Sequence, residues 1–319
     1  MSELHKFLFD GLPVRGMLVR LTDSWTEILA RRAGNAQSGA YPPPVRALLG
    51  EMAAAGALMQ SNIKFNGALV LQVFGDGPVK LAVVEVQPDL GLRATAKVVG
   101  PVADEAGLAD LVNRHNCGRC AITLDPRERL PGQQPYQGVV PLHGDQRERL
   151  SQLSSVLEHY MLQSEQLDTC MVLAANDHVA AGLLIQRLPT EGERNLGNTE
   201  DGIGRSEDYK RIATLAASLT REELLTLDVE RILHRLFWEE KLLRFAPLAP
   251  RFACSCSRQR VAGMIRALGI DEAQSILAER PDIEVGCDFC GQQYRFDAVD
   301  AAQLFAAPGD QPPVSPTVQ

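Results

Sequence analysis

Residues 251–296 read RFACSCSRQRVAGMIRALGIDEAQSILAERPDIEVGCDFCGQQYRF. Four of the chain's seven cysteines lie here, as Cys254-x-Cys256 and Cys287-x-x-Cys290. Two tight pairs joined by one small helical insert are what a tetrahedral thiolate zinc site requires. Each pair supplies two sulfurs from one turn, and the insert brings the turns together. Gly286 and Gly291 flank the second pair, where a glycine lets the backbone fold its amides toward sulfur. The first pair is tighter than the common C-x-x-C knuckle, so this is not an ordinary zinc ribbon. Against metal binding stands the reading of four incidental thiols. Against redox chemistry stands a closed four-sulfur site that only holds a fold.

The chain has 319 residues, 45% hydrophobic and 23% charged, a profile of an ordinary soluble protein long enough for two or three units. A net charge of −8 and a pI near 5.4 count against a general nucleic-acid binder, which needs a basic face. The opening MSELHKFLFDGLPVR scatters its charges, and the sequence contains neither a signal peptide nor an apolar run of membrane-spanning length. A cytoplasmic chain with no membrane partner is expected. In a reducing compartment seven cysteines imply metal ligands or redox thiols rather than a disulfide framework.

Along the chain, Val14–Leu21 alternates like a half-buried strand, and Ser24–Glu27 has the spacing of a capping box that starts a short helix. Pro42–Pro44 precede a helix from Val45 to about Met59, whose apolar residues recur at helical intervals. Ala68–Phe74, Val79–Val86 and Leu92–Val98 form a β-meander separated by turn-rich segments. Gly75-Asp76-Gly77 lies between two of these strands, so it reads as a hairpin turn and not a phosphate loop. Further strands are expected at Ala121–Leu124, Tyr136–Pro141, Thr169–Ala174 and Ala180–Gln186, with a long helix from about Asp145 to Ser164. Cys117-Gly118-Arg119-Cys120, preceded by His115, is either a redox pair or half a metal site. Cys170, His143 and His159 are scattered singly and supply no evident other half.

Glu191–Arg205 carries four glycines and almost no apolar residues, as an exposed connection would. Three short helices follow, with starts at Ser206, Thr220 (capping box with Glu223) and Asp228. Eleven of the twenty-four residues from Arg221 to Arg244 are charged, so the apolar stripe through Leu224, Leu227, Ile232, Leu233, Leu236 and Phe237 is narrow. Helices this short are marginal alone and must lean on something else. The expected organisation is α+β throughout. An antiparallel core spans 1–190, a loop and helical linker 191–250, a four-cysteine zinc unit 251–305 and a disordered tail 306–319.

The sequence closely resembles the 33 kDa chaperonin family, the redox-regulated heat-shock holdases, from Leu4 to about Phe305. The resemblance is carried most strongly by CSCSRQRV at Cys254–Val261 with EVGCDFCGQQYRF at Glu284–Phe296. GDGPVKLAVVEV at Gly75–Val86, HYMLQSEQL at His159–Leu167 and ELLTLDVERILHRLFWEE at Glu223–Glu240 add to it. It implies a non-enzymatic chaperone that is inactive when reduced and zinc-bound. Cys254, Cys256, Cys287 and Cys290 carry over as the ligands of one zinc and as the redox thiols. Hypochlorous acid, or peroxide with heat, would then form two disulfides and expel the metal. The linker would unfold, and the protein, often as a homodimer, would bind unfolding or aggregating clients without ATP. Once the metal leaves, sequence-near thiols have the highest effective concentration for each other, so Cys254–Cys256 and Cys287–Cys290 are the expected links. Cys117 and Cys120 depart from the family, in which this turn usually lacks cysteine.

Two other functions compete. A zinc-ribbon nucleic-acid binder is favoured only by Arg251, Arg258, Arg260 and Arg266 near the knuckles. A thiol–disulfide oxidoreductase would use Cys117 and Cys120 and needs a lowered thiol pKa at one of them.

Overall fold

The computed structural model describes residues 1–35, 39–128, 134–189 and 207–306. The expected loop at Glu191–Arg205, the helix start at Ser206 and the tail beyond residue 306 lie outside the described residues. Within them the chain forms thirteen strands and ten helices. In order these are β1 (Glu3–Phe9), β2 (Val14–Leu21), α1 (Asp23–Ala33), α2 (Pro43–Asn62), β3 (Gly67–Phe74), β4 (Val79–Val86), β5 (Gly91–Val98) and α3 (Leu108–Val112). Next come β6 (Arg119–Pro126), β7 (Tyr136–Pro141), α4 (Leu153–Glu165), β8 (Thr169–Ala175) and β9 (Ala180–Arg187). The remainder is α5 (Glu207–Ala217), α6 (Arg221–Thr226), α7 (Val229–Phe237), β10 (Leu242–Arg244), β11 (Arg251–Phe252), α8 (Arg258–Leu268), α9 (Ile270–Glu279), β12 (Asp282–Gly286), β13 (Gln293–Asp297) and α10 (Ala298–Phe305). Two compact units result, Met1–Ala253 and Cys254–Gln319.

The α+β class is as expected, but the first unit contains two sheets where the sequence suggested one. The first has the order β10-β1-β2-β9-β8 and the second β11-β5-β4-β3-β6-β7. All pairings are antiparallel except β11 with β5. The β-meander sits in the second sheet with its three strands in sequence order, and Gly75–Gly77 makes the β3–β4 turn.

Helix α2 packs on β2, β8 and β9 of the first sheet and on β3, β4 and β5 of the second. Its apolar stripe is therefore only part of what it buries: Ala53, Ala54, Ala55 and Ala57 are buried too. Small residues let both sheets approach the helix. A side chain at Gly50 would collide with Ala175 and crowd Trp25 and Ala180.

Alternation along the strands of the first sheet sends Leu4, Met17, Val19, Leu21 and Leu184 toward α2. Their neighbours Phe7, Phe9, Leu18, Leu183 and Ile185 face the other way, into a second apolar layer. That layer is completed by α5, α6 and α7, through Tyr209, Ile212, Leu224, Ile232, Leu233, Leu236 and Phe237. The marginal helices thus lean on a sheet, as their narrow stripe required. Their starts are capped as expected. Thr220 and Glu223 form a reciprocal capping box, and Asp228 accepts from the Arg231 amide at 2.8 Å.

Two local expectations change. Ser24 does not cap α1; it is buried, and its hydroxyl meets that of Ser2 at 2.8 Å. Helix α4 starts at Leu153, not near Asp145, because Gly144–Arg149 closes into a tight turn with Gly144 N–H donating to the Glu148 carbonyl.

Candidate metal centre

In the second unit α8 and α9 join a two-stranded hairpin, β12–β13, and α10 around a small apolar core. Cys254 and Cys256 precede α8, whose first turn is capped by Ser257 accepting from the Arg260 amide at 3.2 Å. Cys287 and Cys290 lie on the β12–β13 turn. The Gly291 amide donates to the Cys287 carbonyl at 2.8 Å and Cys287 N–H to the Gln292 carbonyl at 2.9 Å, with Gly291 at φ +74°. Only glycine takes that conformation without strain. The turn aims the amides of Phe289 and Cys290 at the Cys287 sulfur and that of Gln292 at the Cys290 sulfur. Each such bond favours a thiolate.

The four sulfurs all lie within 4.8 Å of one another. Cys254 Sγ is 3.7 Å from Cys287 Sγ, and Cys256 Sγ is 3.3 Å from Cys290 Sγ. A tetrahedral zinc with Zn–S bonds near 2.3 Å requires sulfurs about 3.8 Å apart. The donor set and its spacing therefore fit a single tetrahedral metal ion. Without a cation the arrangement is unfavourable for charge. Burial pushes the Cys290 thiol up strongly and the Cys287 thiol up, with the Cys254 sulfur adding to the latter.

One contact escaped the sequence reading. Tyr294, on β13, donates its hydroxyl to Cys256 Sγ at 3.2 Å, and that bond to the sulfur pushes the phenol up to about 12. Nothing in the cysteine spacing announces it. The signal is the pairing of β12 with β13, which sets Tyr294 opposite Val285, two residues before Cys287.

The arginines that favoured nucleic acid are engaged within the chain. Arg258 pairs with Asp300 at 2.6 Å and stacks over Phe296, Arg260 donates to Ser255, Arg266 to the Leu304 carbonyl, and Arg251 pairs with Asp89 at 2.6 Å. The Cys117 and Cys120 pair is split between environments. Cys117 is exposed, while Cys120 is buried within β6 and desolvation pushes its thiol up to about 12, the opposite of an activated nucleophile. His143 and His159 are occupied locally, by the Gly144 carbonyl and by Asp145.

A sequence profile of the family described as "Hsp33 protein" matches residues 2–297. The chain belongs to the Hsp33 family. Among its relatives, the 33 kDa chaperonin of Chromobacterium violaceum is 46% identical over 304 residues, covering 95% of this chain and 94% of the relative. That of Methylobacillus flagellatus is 43% identical over 305 residues, covering 95% and 94%. The crystal structure of the 33 kDa chaperonin (heat shock protein 33 homolog) of Thermotoga maritima superposes with a TM-score of 0.73 over 95% of this chain and 97% of that one. At 19% identity this likeness speaks for the fold alone. Membership of Hsp33 makes the chain a chaperone and not an enzyme. Among the described residues no helix is long and apolar enough to cross a membrane.

Proposed function

We propose that the chain is a redox-regulated, ATP-independent holdase of the cytoplasm, switched by one zinc ion on Cys254, Cys256, Cys287 and Cys290. The observation that carries this reading is the convergence of four sulfurs at metal-ligand spacing in a unit that has little else to hold it. Among the described residues its core has seven buried hydrophobic residues, three of them alanine, with only partly buried ones such as Ile276 and Leu304 around them, a thin core for a fold of this size. Metal binding on the order of 10 kcal/mol would supply the difference. A bound zinc ion keeps the four sulfurs as thiolates at neutral pH, the form that oxidants attack.

The thiol chemistry balances with a two-electron oxidant. A cysteine thiolate attacks the chlorine of hypochlorous acid, releasing hydroxide and leaving a sulfenyl chloride. A second thiolate displaces chloride and forms the disulfide. With peroxide the intermediate is a sulfenic acid and water leaves. Two such events remove four electrons and leave the site without a thiolate donor.

Loss of the metal unfolds the second unit, and the linker helices then lose their footing on the first sheet. Two complementary apolar faces come apart there, one on α5–α7 and one around Phe7, Phe9, Leu18 and Ile185. Exposed apolar surface of this kind binds unfolding client proteins, and would favour a homodimer of the oxidised chain. The engaged arginines and the net charge of −8 support a protein that uses no nucleic acid.

Light scattering of a thermally unfolding client tests the reading. The reduced protein should leave aggregation unchanged and the oxidised protein should suppress it. A non-reducing digest of the active form should contain Cys254–Cys256 and Cys287–Cys290. Equal activity in both redox states would refute the switch, and a dominant Cys117–Cys120 disulfide would favour an oxidoreductase.

A further inference from the structure

Residues 241–253 run along an exposed border of each sheet. β10 pairs with β1 at the edge of the first sheet, and β11 pairs with β5 at the edge of the second. Between them Leu4 and Leu248 exchange both backbone hydrogen bonds, each at 2.9 Å. Asp10 N–H donates to the Lys241 carbonyl, Phe245 N–H to the Lys6 carbonyl, Arg251 N–H to Leu90 and Ala253 N–H to Leu92, all at 2.9–3.1 Å. One strap thus closes two sheet edges.

The strap holds on by its backbone and by exposed ion pairs, with little apolar packing. Leu243, Phe245 and Leu248 are 45%, 54% and 41% exposed. Among its apolar side chains Leu242 and Phe252 pack against the apolar layers, and its ion pairs, Lys241 with Asp10, Arg244 with Glu230 and Arg251 with Asp89, are exposed. On β1 the strap's bonds run from Leu4 to Asp10, broken between Phe245 and Leu248, and on the eight-residue β5 it pairs only two residues, Gly91 and Leu92. Pro247 and Pro250 have no N–H and interrupt any longer ladder. The strap ends at Ala253, one peptide bond before Cys254.

We propose that this strap is autoinhibitory, and that the β1 and β5 edges beneath it are acceptor sites for an extended stretch of non-native polypeptide, added as a strand. Backbone ladders are indifferent to sequence, which suits a site for many clients, and an uninterrupted extended chain forms a longer ladder than the strap does. Unpaired sheet edges are templates for strand addition, and this chain covers these two with a segment tethered directly to its thiol cluster. The inference rests on the holdase reading, and adds to the exposed apolar faces a second, directional mode of capture.

The test uses the oxidised full chain and a synthetic peptide of residues 241–253, KLLRFAPLAPRFA, with a counterpart N-methylated at the Phe245 and Leu248 amides. In excess, the parent peptide should reduce suppression of client aggregation. The N-methylated peptide, lacking two donors, should be weaker by about tenfold. Equal potency of the two peptides, or no competition by either while the protein remains active, would overturn the proposal. Residue-resolved hydrogen exchange reads the edge directly. Oxidation should deprotect the Leu4 and Asp10 amides, and an unfolded client should protect them again while Phe245 and Leu248 stay open. Leu4 and Asp10 remaining protected after oxidation would overturn it. So would their reprotection without client, in step with dimer formation in sedimentation, which makes a second copy the occupant. An oxidised protein that opens these amides but suppresses no aggregation defeats the holdase reading instead.

Discussion

Phe237 and Phe9 meet edge-on, their ring centroids 5.0 Å apart and their planes at 89°. Phe7 closes the cluster at 6.2 Å from Phe237. This contact joins the last linker helix to the first strand of the chain, and Phe237 is only 2% exposed. A Phe237→Glu substitution would place an unpaired carboxylate there, at a cost of several kcal/mol. A docked state stable by only a few kcal/mol would open with the metal still bound. The reduced, zinc-loaded variant should therefore suppress client aggregation without oxidant. Two measurements are needed together, metal content equal to the parent and activity well above the reduced parent. Retained metal, loss of linker helicity and no activity would show that opening α5–α7 does not unmask the client surface.

Metal content separates the two cysteine groups. Reduced protein should contain about one zinc per chain, and Cys287→Ser should lose most of it, since three thiolates leave an open position. Cys117→Ser and Cys120→Ser should keep it, because the four-sulfur set is Cys254, Cys256, Cys287 and Cys290, and Cys120 is buried within β6. Two zincs per chain in the parent protein would assign Cys117 and Cys120 to a second site.

What the sequence disclosed followed the range of the interactions concerned. Cys254, Cys256, Cys287 and Cys290 were legible because ligand spacing within a knuckle is local. Thr220, Glu223 and Asp228 were legible because a cap is satisfied within one turn. The meander strands between Gly67 and Val98 announced themselves by turn chemistry. By contrast β1 was missed, because Glu3, His5 and Lys6 interrupt its apolar residues, and its burial on both faces depends on α2 and α7. Ser24 had a cap's spacing, but a partner 22 residues away, Ser2, claimed its hydroxyl. The strands at Leu242–Arg244 and Arg251–Phe252 are too short for any period, and their partners lie more than 150 residues earlier in the chain. Tyr294 reaches Cys256 only because the hairpin register places it there.

That tyrosine should set the rate of oxidation. A hydrogen bond to sulfur holds electron density that an incoming oxidant would use. Tyr294→Phe should retain zinc and react with peroxide about fivefold faster, a ratio of the size such a bond sets. Stopped-flow release of zinc to a chromogenic chelator measures it. An unchanged rate with unchanged metal content would confine Tyr294 to packing.

Docking of the linker should also depend on pH through Glu51. This carboxylate on α2 has a side chain only 21% exposed and lies 3.3 Å from Arg221 at the start of α6, which also donates to the Ala175 carbonyl. Burial raises its pKa from 4.5 to about 7, and the Arg221 charge offsets only part of that rise. If the linker helices lift, Glu51 regains water and its ordinary pKa, so the docked state holds the proton more tightly than the open one. A group raised in the docked state stabilises docking fully below about 4.5 and loses that contribution as pH climbs through about 7. The whole span corresponds to about 3 kcal/mol. In reduced protein, the first thermal transition followed by circular dichroism should fall as pH rises from about 5 to about 7, between the open-state and docked-state values, and level off above. Glu51→Gln keeps the shape and removes the titration, so its transition should be nearly flat over the same range. Metal loss by thiolate protonation works in the opposite direction and is common to both proteins, so the difference between them isolates Glu51. The same fall in the Glu51→Gln protein would place the titrating group elsewhere.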